Sequence, residues 1–202
     1  MIKNIYCIGR NYSAHAAELG NKVESQPVIF SKPITSLARE NIIHLPSFSN
    51  DIHFETELVV RISKHAYKIR TEEAMHTYDA FAIGLDLTAR DVQTHLKERK
   101  LPWLLSKGFK DSAYISHFVG KEKLPQNINF EMKLNGSTKQ IGNTEKMIFS
   151  IDEIISFLSN YIELIPGDVI FTGTPEGVGS LAKGDKIELY MEHDIIAKLD
   201  IL

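Results

Sequence analysis

The stretch His53-Phe54-Glu55-Thr56-Glu57-Leu58-Val59-Val60 places two carboxylates inside an apolar run. Side chains along a β-strand alternate between its two faces, so the spacing predicts a strand over Glu55–Ile62 with both glutamates on the same face. Two buried carboxylates side by side repel, and without a partner one of them takes up a proton. The pair therefore indicates either a solvated strand face or a site for a hard divalent cation, which prefers oxygen ligands.

A third carboxylate, Asp86, lies 29 residues after Glu57 inside the apolar run Ala80-Phe81-Ala82-Ile83-Gly84-Leu85-Asp86-Leu87. An isolated buried aspartate is rare, because burial of an unpaired charge is unfavourable. Asp86 therefore favours the cation site over the solvated face. Glu55, Glu57 and Asp86 become candidate ligands of magnesium, calcium or manganese.

The amino-acid composition indicates which classes of protein the chain can belong to. The chain has 202 residues, of which 43% are hydrophobic and 24% charged, as in ordinary globular proteins. A net charge of −3 argues against an electrostatic nucleic-acid binder. Cys7 is the only cysteine, which fits a reducing compartment. We see no signal peptide and no apolar run long enough to span a membrane, so we expect a cytoplasmic protein.

The chain contains no repeat, low-complexity tract or flexible linker, which predicts a single domain over residues 1–202. Many short strands and few helices predict a β-rich, mixed α+β fold. Asn135-Gly136 predicts a tight hairpin turn, and Ser150 with Glu153 predicts a helix-capping box. We further expect strands at Ile2–Ile8, Pro27–Phe30 and Val169–Thr172, and helices over Asn11–Leu19 and Arg90–Lys100.

Several further segments carry candidate chemistry. His15 and Glu18 are three residues apart on a predicted helix, where they form either a general-base pair or an exposed surface pair. Arg90 and Gln93 follow Asp86 and either bind a substrate carboxylate or carbonyl, or make a salt bridge and an exposed amide.

A lysine and a glycine-rich loop complete the candidates. Lys107 lies in an apolar segment, so it either extends to solvent or pairs with an anion such as a substrate oxygen. The loop Phe171-Thr172-Gly173-Thr174-Pro175-Glu176-Gly177-Val178-Gly179 is either a plain turn or an anion site formed by backbone amides and the Thr174 hydroxyl.

Taken in order, these segments resemble the fumarylacetoacetate hydrolase family from Ile5 to about Glu192. The resemblance rests on the following motifs: Gly9-Arg10-Asn11-Tyr12 with His15 and Glu18, Lys32-Pro33, Glu55-x-Glu57, Asp86-x-Thr88-Ala89-Arg90-Asp91-Val92-Gln93, Leu101-Pro102-Trp103 with Lys107 and Phe109, Met147-Ile148-Phe149-Ser150, and Gly173-Thr174-Pro175-x-Gly177-Val178-Gly179. The chain is most similar to the short branch that contains acylpyruvate hydrolases and oxaloacetate decarboxylases.

The resemblance implies a mixed β-sandwich roll of the family's catalytic-domain type, paired as a homodimer. It implies magnesium, with manganese possible, bound by Glu55, Glu57 and Asp86. The remaining implied site residues are His15 and Glu18 as a catalytic dyad on a lid segment, Lys107 beside the reacting oxygen, and Arg10, Arg90, Gln93 and Thr174 in contact with substrate. One departure is Glu145, where the resemblance leads us to expect a small serine. We expect this larger, charged side chain to alter either the rim of the pocket or the contact between the subunits of a dimer.

The resemblance also implies an activity, which is hydrolysis of a C–C bond in acylpyruvate-type 2,4-dioxo acids to pyruvate and a carboxylic acid. Oxaloacetate decarboxylation or tautomerisation, and isomerisation of a 2-oxo-diene-dioate, are alternatives at the same site. A non-catalytic metabolite-binding module is the alternative from a different class.

Overall fold

The computed structural model describes residues 1–18, 20 and 24–202. The strands are β1 (Ile5–Gly9), β2 (Val28–Lys32), β3 (Ile42–Ile43), β4 (Ile52–Phe54), β5 (Thr56–Ile62), β6 (Tyr78–Asp86), β7 (Thr88–Ala89), β8 (Ala113–Ile115), β9 (Val119–Gly120), β10 (Asn129–Leu134), β11 (Ser137–Asn143), β12 (Val169–Phe171), β13 (Gly179–Ser180), β14 (Lys186–Met191) and β15 (Asp194–Ile201). The α-helices are α1 (Ser13–Glu18), α2 (Thr71–Ala74), α3 (Arg90–Glu98), α4 (Leu104–Lys107) and α5 (Ile151–Ser159). The prediction of a β-rich α+β fold is confirmed.

A seven-stranded sheet carries the site and has the order β2-β1-β12-β5-β6-β8, with β9 also paired to β6. Only the β1–β12 pair of this sheet is parallel among the strand pairs that the structure describes. In the centre, β5 and β6 run antiparallel with Glu57 opposite Gly84. A Cβ at Gly84 would lie 2.5 Å from the ring of Phe171, so only glycine permits this packing.

The alternation predicted for β5 is confirmed. Leu58, Val60 and Ile62 enter the main core, whereas Val59 packs on the opposite face of the sheet. A five-stranded sheet of order β11-β10-β14-β15-β3 covers the other side of this core with residues such as Phe130. The two sheets thus enclose one apolar layer, as in a sandwich.

Two local signals are confirmed. Asn135 and Gly136 have φ of 52° and 80°, and they connect β10 to β11 as a two-residue turn with left-handed backbone. Ser150 and Glu153 form the predicted capping box at the start of α5.

Several boundaries differ from the predictions. β1 begins at Ile5 rather than Ile2, because its partner strand begins only at Val169. α3 ends at Glu98, since Lys100 has a φ of 54° that cannot continue a right-handed helix. Leu19, the predicted last residue of the first helix, lies outside the described residues. None of the described helices has the length and apolar character needed to cross a membrane.

Candidate active site

The three predicted ligand carboxylates converge at the end of the β5–β6 pair. One oxygen from each of Glu55, Glu57 and Asp86 lies within 4.8 Å of the others. The three residues are 6%, 2% and 0% exposed, respectively. This burial excludes the solvated strand face as an explanation of the glutamate pair.

The secondary structure at Glu55 differs from the predicted continuous strand. Glu55 lies in a one-residue break between β4 and β5 rather than inside a continuous strand. The backbone N–H of Asp86 donates to the carbonyl oxygen of Glu55 at 2.8 Å, which ties the break to the end of β6. The carboxylates therefore meet through strand pairing and a break, and not through alternation along one strand.

Lys107 lies between two of the carboxylates. Its Nζ atom is 2.7 Å from Glu55 Oε2 and 2.7 Å from Asp86 Oδ2. Arg90 Nη2 donates to Glu55 Oε1 at 2.5 Å. Burial alone would lower the pKa of Lys107, but Asp86 and Glu55 together raise it above its ordinary range. Lys107 is therefore an ion-paired cation rather than a side chain that extends to solvent.

The same charges act on Glu55 in the opposite direction. Burial opposes its ionisation, yet Lys107 and Arg90 hold the pKa of Glu55 well below its ordinary range. Glu55 is thus an ionised carboxylate inside the protein, which is the form that binds a cation.

Glu57 has no such partner. It accepts a hydrogen bond from the Gly173 amide at 2.7 Å, but no basic side chain forms an ion pair with it among the residues described. Burial, followed by Asp86 and Glu55, raises the pKa of Glu57 well above its ordinary range. A divalent cation would supply the missing positive charge, so this donor set fits a hard metal ion.

Lys32 is a site residue that the sequence reasoning did not assign a role. Its fully buried Nζ lies 2.8 Å from Asp86 Oδ1 and donates to the carbonyls of Leu87 and Lys107. Burial lowers its pKa, while Asp86 acts in the opposite direction. The only local signal was a lysine at the end of an apolar strand, which does not reveal a partner 54 residues away.

The predicted dyad is also formed. His15 Nδ1 lies 3.1 Å from Glu18 Oε2, and Glu18 Oε1 accepts from the Gly177 amide at 3.1 Å. His15 is 5% exposed, which excludes the exposed surface pair. With Nδ1 facing Glu18, the other ring nitrogen, Nε2, is available to a ligand.

All predicted site residues except Glu18 line one open cavity. Within it, Arg90 Nη1 donates to Gln93 Oε1 at 2.7 Å, and Arg10 pairs with Glu24 outside the carboxylate cluster. Ile8, Phe30 and Trp103 form an apolar part of the wall, and Lys97 is a further basic residue there that we did not predict.

The glycine-rich loop differs from both alternatives considered for it. Its Gly173 and Gly177 amides bind carboxylates, but these belong to Glu57 and Glu18 of the protein itself. The Thr174 hydroxyl donates to the Thr56 carbonyl at 2.9 Å while it lines the cavity. Contact of Thr174 with a substrate stays a prediction.

Glu145 lies on an exposed turn over Thr144–Lys146 and is not part of the cavity wall. Its effect on the pocket rim is therefore not supported. A role in a subunit contact stays untested.

Comparison with known proteins gives consistent results. The sequence profile of the family described as fumarylacetoacetate (FAA) hydrolase C-terminal matches residues 4–199. The mitochondrial oxaloacetate tautomerase of Homo sapiens is 44% identical over 189 residues, covering 92% of this chain and 86% of that protein. The mitochondrial oxaloacetate decarboxylase of Dictyostelium discoideum is 40% identical over 190 residues, covering 92% and 87%.

A solved structure shares the fold. The fumarylpyruvate hydrolase of Pseudomonas aeruginosa, crystallised with Mn²⁺ and pyruvate, superposes with a TM-score of 0.92 at 32% identity, covering 100% of this chain and 90% of that one. The expected type of β-sandwich roll is thereby confirmed.

Proposed function

Because the chain belongs to the fumarylacetoacetate hydrolase family, we propose that it is a divalent-metal-dependent enzyme that interconverts the keto and enol forms of oxaloacetate. The observation that carries this proposal is a single cavity that contains a carboxylate cluster, a lysine in ion pairs with that cluster and a buried histidine. The greater identity to oxaloacetate enzymes than to the fumarylpyruvate hydrolase favours oxaloacetate as the substrate.

Glu55, Glu57 and Asp86 hold the cation, for which we propose magnesium, with manganese as a substitute. Glu57 supports this assignment most directly, since it is a buried acid without a basic partner in the described part of the chain. When bound, the cation supplies positive charge beside the 2-oxo carboxylate and polarises the 2-oxo group.

Lys107 stabilises the charge that develops on the substrate. Removal of a proton from C3 of oxaloacetate moves an electron pair into the C2–C3 bond and places negative charge on the C2 oxygen. The raised pKa of Lys107 keeps its ammonium protonated, so it donates a hydrogen bond to that oxygen rather than accepting a proton.

His15 transfers the proton. Its Nε2 accepts a proton from C3, while Glu18 holds Nδ1 and fixes the tautomer and the ring orientation. The C2 oxygen then takes up one proton, which gives the enol. Substrate and product have the same atoms, and His15 returns to its starting state once its proton is released.

Acylpyruvate hydrolysis is the second candidate, supported by the buried His15–Glu18 pair and the likeness to a fumarylpyruvate hydrolase. Here His15 accepts a proton from water, and the hydroxide adds to the C4 carbonyl carbon. The C3–C4 bond then breaks and a carboxylic acid leaves, while the electrons pass to the pyruvate fragment, whose C3 takes up the proton from His15. Decarboxylation of oxaloacetate breaks the same bond without water.

A substrate panel tests these reactions. Oxaloacetate, acetylpyruvate and fumarylpyruvate are incubated with enzyme and Mg²⁺ or Mn²⁺, while enol absorbance and pyruvate release are followed separately. We expect metal-dependent acceleration of oxaloacetate enolisation that a chelator abolishes. Rapid pyruvate release from the acylpyruvates without enolisation of oxaloacetate would instead favour the hydrolase. A parallel incubation with a 2-oxo-diene-dioate tests the isomerase, which would consume it without releasing pyruvate.

Replacement of His15 by alanine separates the two reactions that need a base from decarboxylation, which does not. We expect His15→Ala to lower kcat for enolisation and for acylpyruvate hydrolysis by roughly 100-fold, because both need the imidazole as a base. Oxaloacetate decarboxylation needs no base and should retain most of its rate. An equal loss of all three activities would contradict this division of roles.

A homodimer and a cytoplasmic location stay predictions. Light scattering on the purified protein measures the first, and fractionation of the producing cells measures the second.

A further inference from the structure

Helix α3 presents three polar side chains to the cavity. Arg90, Gln93 and Lys97 are spaced by three and four residues, so they lie on one helical face, and all three line the cavity wall. Arg90 begins the helix beside Glu55. Lys97 lies two turns further along, roughly 10 Å away at the rise of an α-helix.

Lys97 differs from the other basic residues of the wall. Arg90 and Lys107 pair with carboxylates of the cluster, and Arg10 pairs with Glu24. No carboxylate within 4.0 Å pairs with Lys97 in residues 1–18, 20 and 24–202. Its ammonium is therefore available to an anion that enters the cavity.

The surroundings of Lys97 make this charge unfavourable without a ligand. Lys97 is half-buried, and the Trp103 ring, whose centre lies 5.5 Å from its Nζ, offers the ammonium a weak attraction but no negative charge. Burial, followed by Arg90 and Arg10, lowers its pKa, while Glu55 acts weakly in the opposite direction. An incoming carboxylate relieves both the desolvation and the repulsion.

The charge of the whole wall points to a dianion. Three carboxylates and four basic side chains line the cavity. Glu24 balances Arg10 and Lys32 adds a positive charge behind Asp86, which leaves one net positive charge. A divalent cation on the carboxylates raises the excess to three. A 2-oxo monocarboxylate neutralises one of these charges, whereas a 2-oxo dicarboxylate neutralises two and has an anionic group at each end.

We propose that Lys97 binds the second carboxylate of the substrate, so that the enzyme selects 2-oxo dicarboxylates over 2-oxo monocarboxylates. The 2-oxo end lies at the carboxylate cluster and Lys107, and the distal carboxylate lies against Lys97 two turns along α3. This inference rests on the proposed function for the position of the 2-oxo end. The same contact explains selection of a dicarboxylate for enolisation or for C–C cleavage.

A binding experiment tests the contact without turnover. The Mn²⁺-loaded protein is titrated in a calorimeter with 2-oxopentanedioate and with 2-oxopentanoate, which have the same 2-oxo head and chain length. We expect the dicarboxylate to bind wild type about tenfold more tightly, as for a charge-assisted contact of about 1.4 kcal/mol. Lys97→Gln should remove this preference by weakening dicarboxylate binding alone.

Two variants control for packing. Lys97→Arg keeps the positive charge and should retain the preference for the dicarboxylate. If Lys97→Gln acted only by disturbing the packing against Trp103, it would weaken the binding of both acids equally. Lys100→Gln removes an exposed charge near the end of α3, outside the cavity wall, and should change neither affinity. Equal affinity of wild type for the two acids, or no measurable binding of either, overturns the proposal.

Steady-state kinetics then separates this inference from the proposed function. With oxaloacetate, Lys97→Gln should raise KM about tenfold with kcat within about twofold, and KM for acetylpyruvate should not change. A wild type that converts none of the substrates disproves the proposed function, while the calorimetric preference still decides the role of Lys97. An equal change in KM for both substrates contradicts the role of Lys97.

Discussion

At the scale of single residues, the three carboxylates of the cluster differ in how their negative charge is balanced. Glu55 and Asp86 each contact Lys107, whereas Glu57 is bound only by the Gly173 amide among described polar groups. The raised pKa of Glu57 follows from burial and from its two acidic neighbours. Glu57 is therefore the carboxylate of the cluster whose charge would depend most on a bound cation.

Replacement of Glu57 by glutamine should remove metal binding and stabilise the metal-free protein. A carboxyl group whose pKa is raised in the folded state adds stability below its unfolded pKa, and that stability is lost as pH rises through the folded pKa. At pH 7 to 8 the wild-type protein has lost this stability, by about 1.4 kcal/mol for each unit of difference between the folded and the unfolded pKa of Glu57. Glutamine cannot ionise, so Glu57→Gln avoids the loss. Thermal unfolding in chelator measures it, and a lower melting temperature for Glu57→Gln would contradict the assignment.

Metal affinity should rise with pH for the same reason. Below its raised folded pKa, Glu57 holds a proton that the cation must displace, so affinity falls by up to about tenfold for each pH unit of decrease. Titration with Mn²⁺ in two buffers of different ionisation enthalpy measures the released proton. An affinity that stays constant from about pH 5.5 to 8, with no proton release, would rule out Glu57 as this ligand.

At the scale of elements, the glycine-rich loop uses its Gly173 and Gly177 amides to hold side chains of the site in place rather than to bind a ligand. Gly173 contacts a cluster carboxylate and Gly177 contacts the dyad glutamate, so the loop after β12 connects two parts of the site. Gly177 has a φ of 94°, and a Cβ there would lie 2.2 Å from the Lys139 carbonyl oxygen. The close approach therefore requires glycine.

Gly177→Ala should uncouple the dyad from the loop. The added methyl group displaces the amide from Glu18, and His15 loses its orientation, so we expect kcat to fall roughly 10- to 100-fold. Metal affinity should persist because the cluster carboxylates are not touched. Gly136→Ala is the matched control, since it has a similar φ of 80° but open space around the Cβ and lies in a remote hairpin. A wild-type kcat in Gly177→Ala would disprove the coupling.

The elements also show which parts of the site were predictable. Alternation in β5 and the apolar run before Asp86 are local patterns, and they indicated the burial of Glu57 and of Asp86. The break at Glu55 was not predicted, because it depends on the hydrogen bond from Asp86 in the neighbouring strand. Lys32 and Lys97 were missed because their roles arise from contacts across the fold, which residue spacing does not encode.

At the scale of the whole molecule, the site joins parts of the chain that are far apart in sequence. The cluster lies at one end of the β5–β6 pair, and β2 and α4 contribute the lysines that surround it. The β-rich class was predictable from many short strands, but the sheet order was not. The β1–β12 pairing joins residues more than 160 positions apart and is decided only when the two sheets pack on a common core.

A bound cation should therefore stabilise the entire fold rather than a single loop. Ligand that binds only the folded state adds about 2.7 kcal/mol at a concentration 100-fold above its Kd. For a chain of this length, that corresponds to a rise in Tm of about 5–10 °C. Thermal unfolding with Mg²⁺, with Mn²⁺ and with chelator measures the shift at constant protein concentration.

Glu57→Gln is the control for that shift, because the stabilisation must pass through the carboxylate cluster. Its melting temperature should be the same with cation and with chelator, although it exceeds that of the metal-free wild type. A cation-dependent rise that persists in Glu57→Gln would place the stabilising ion elsewhere on the protein. Identical melting temperatures of wild type in all three conditions would show that the buried carboxylates fold without holding a divalent ion.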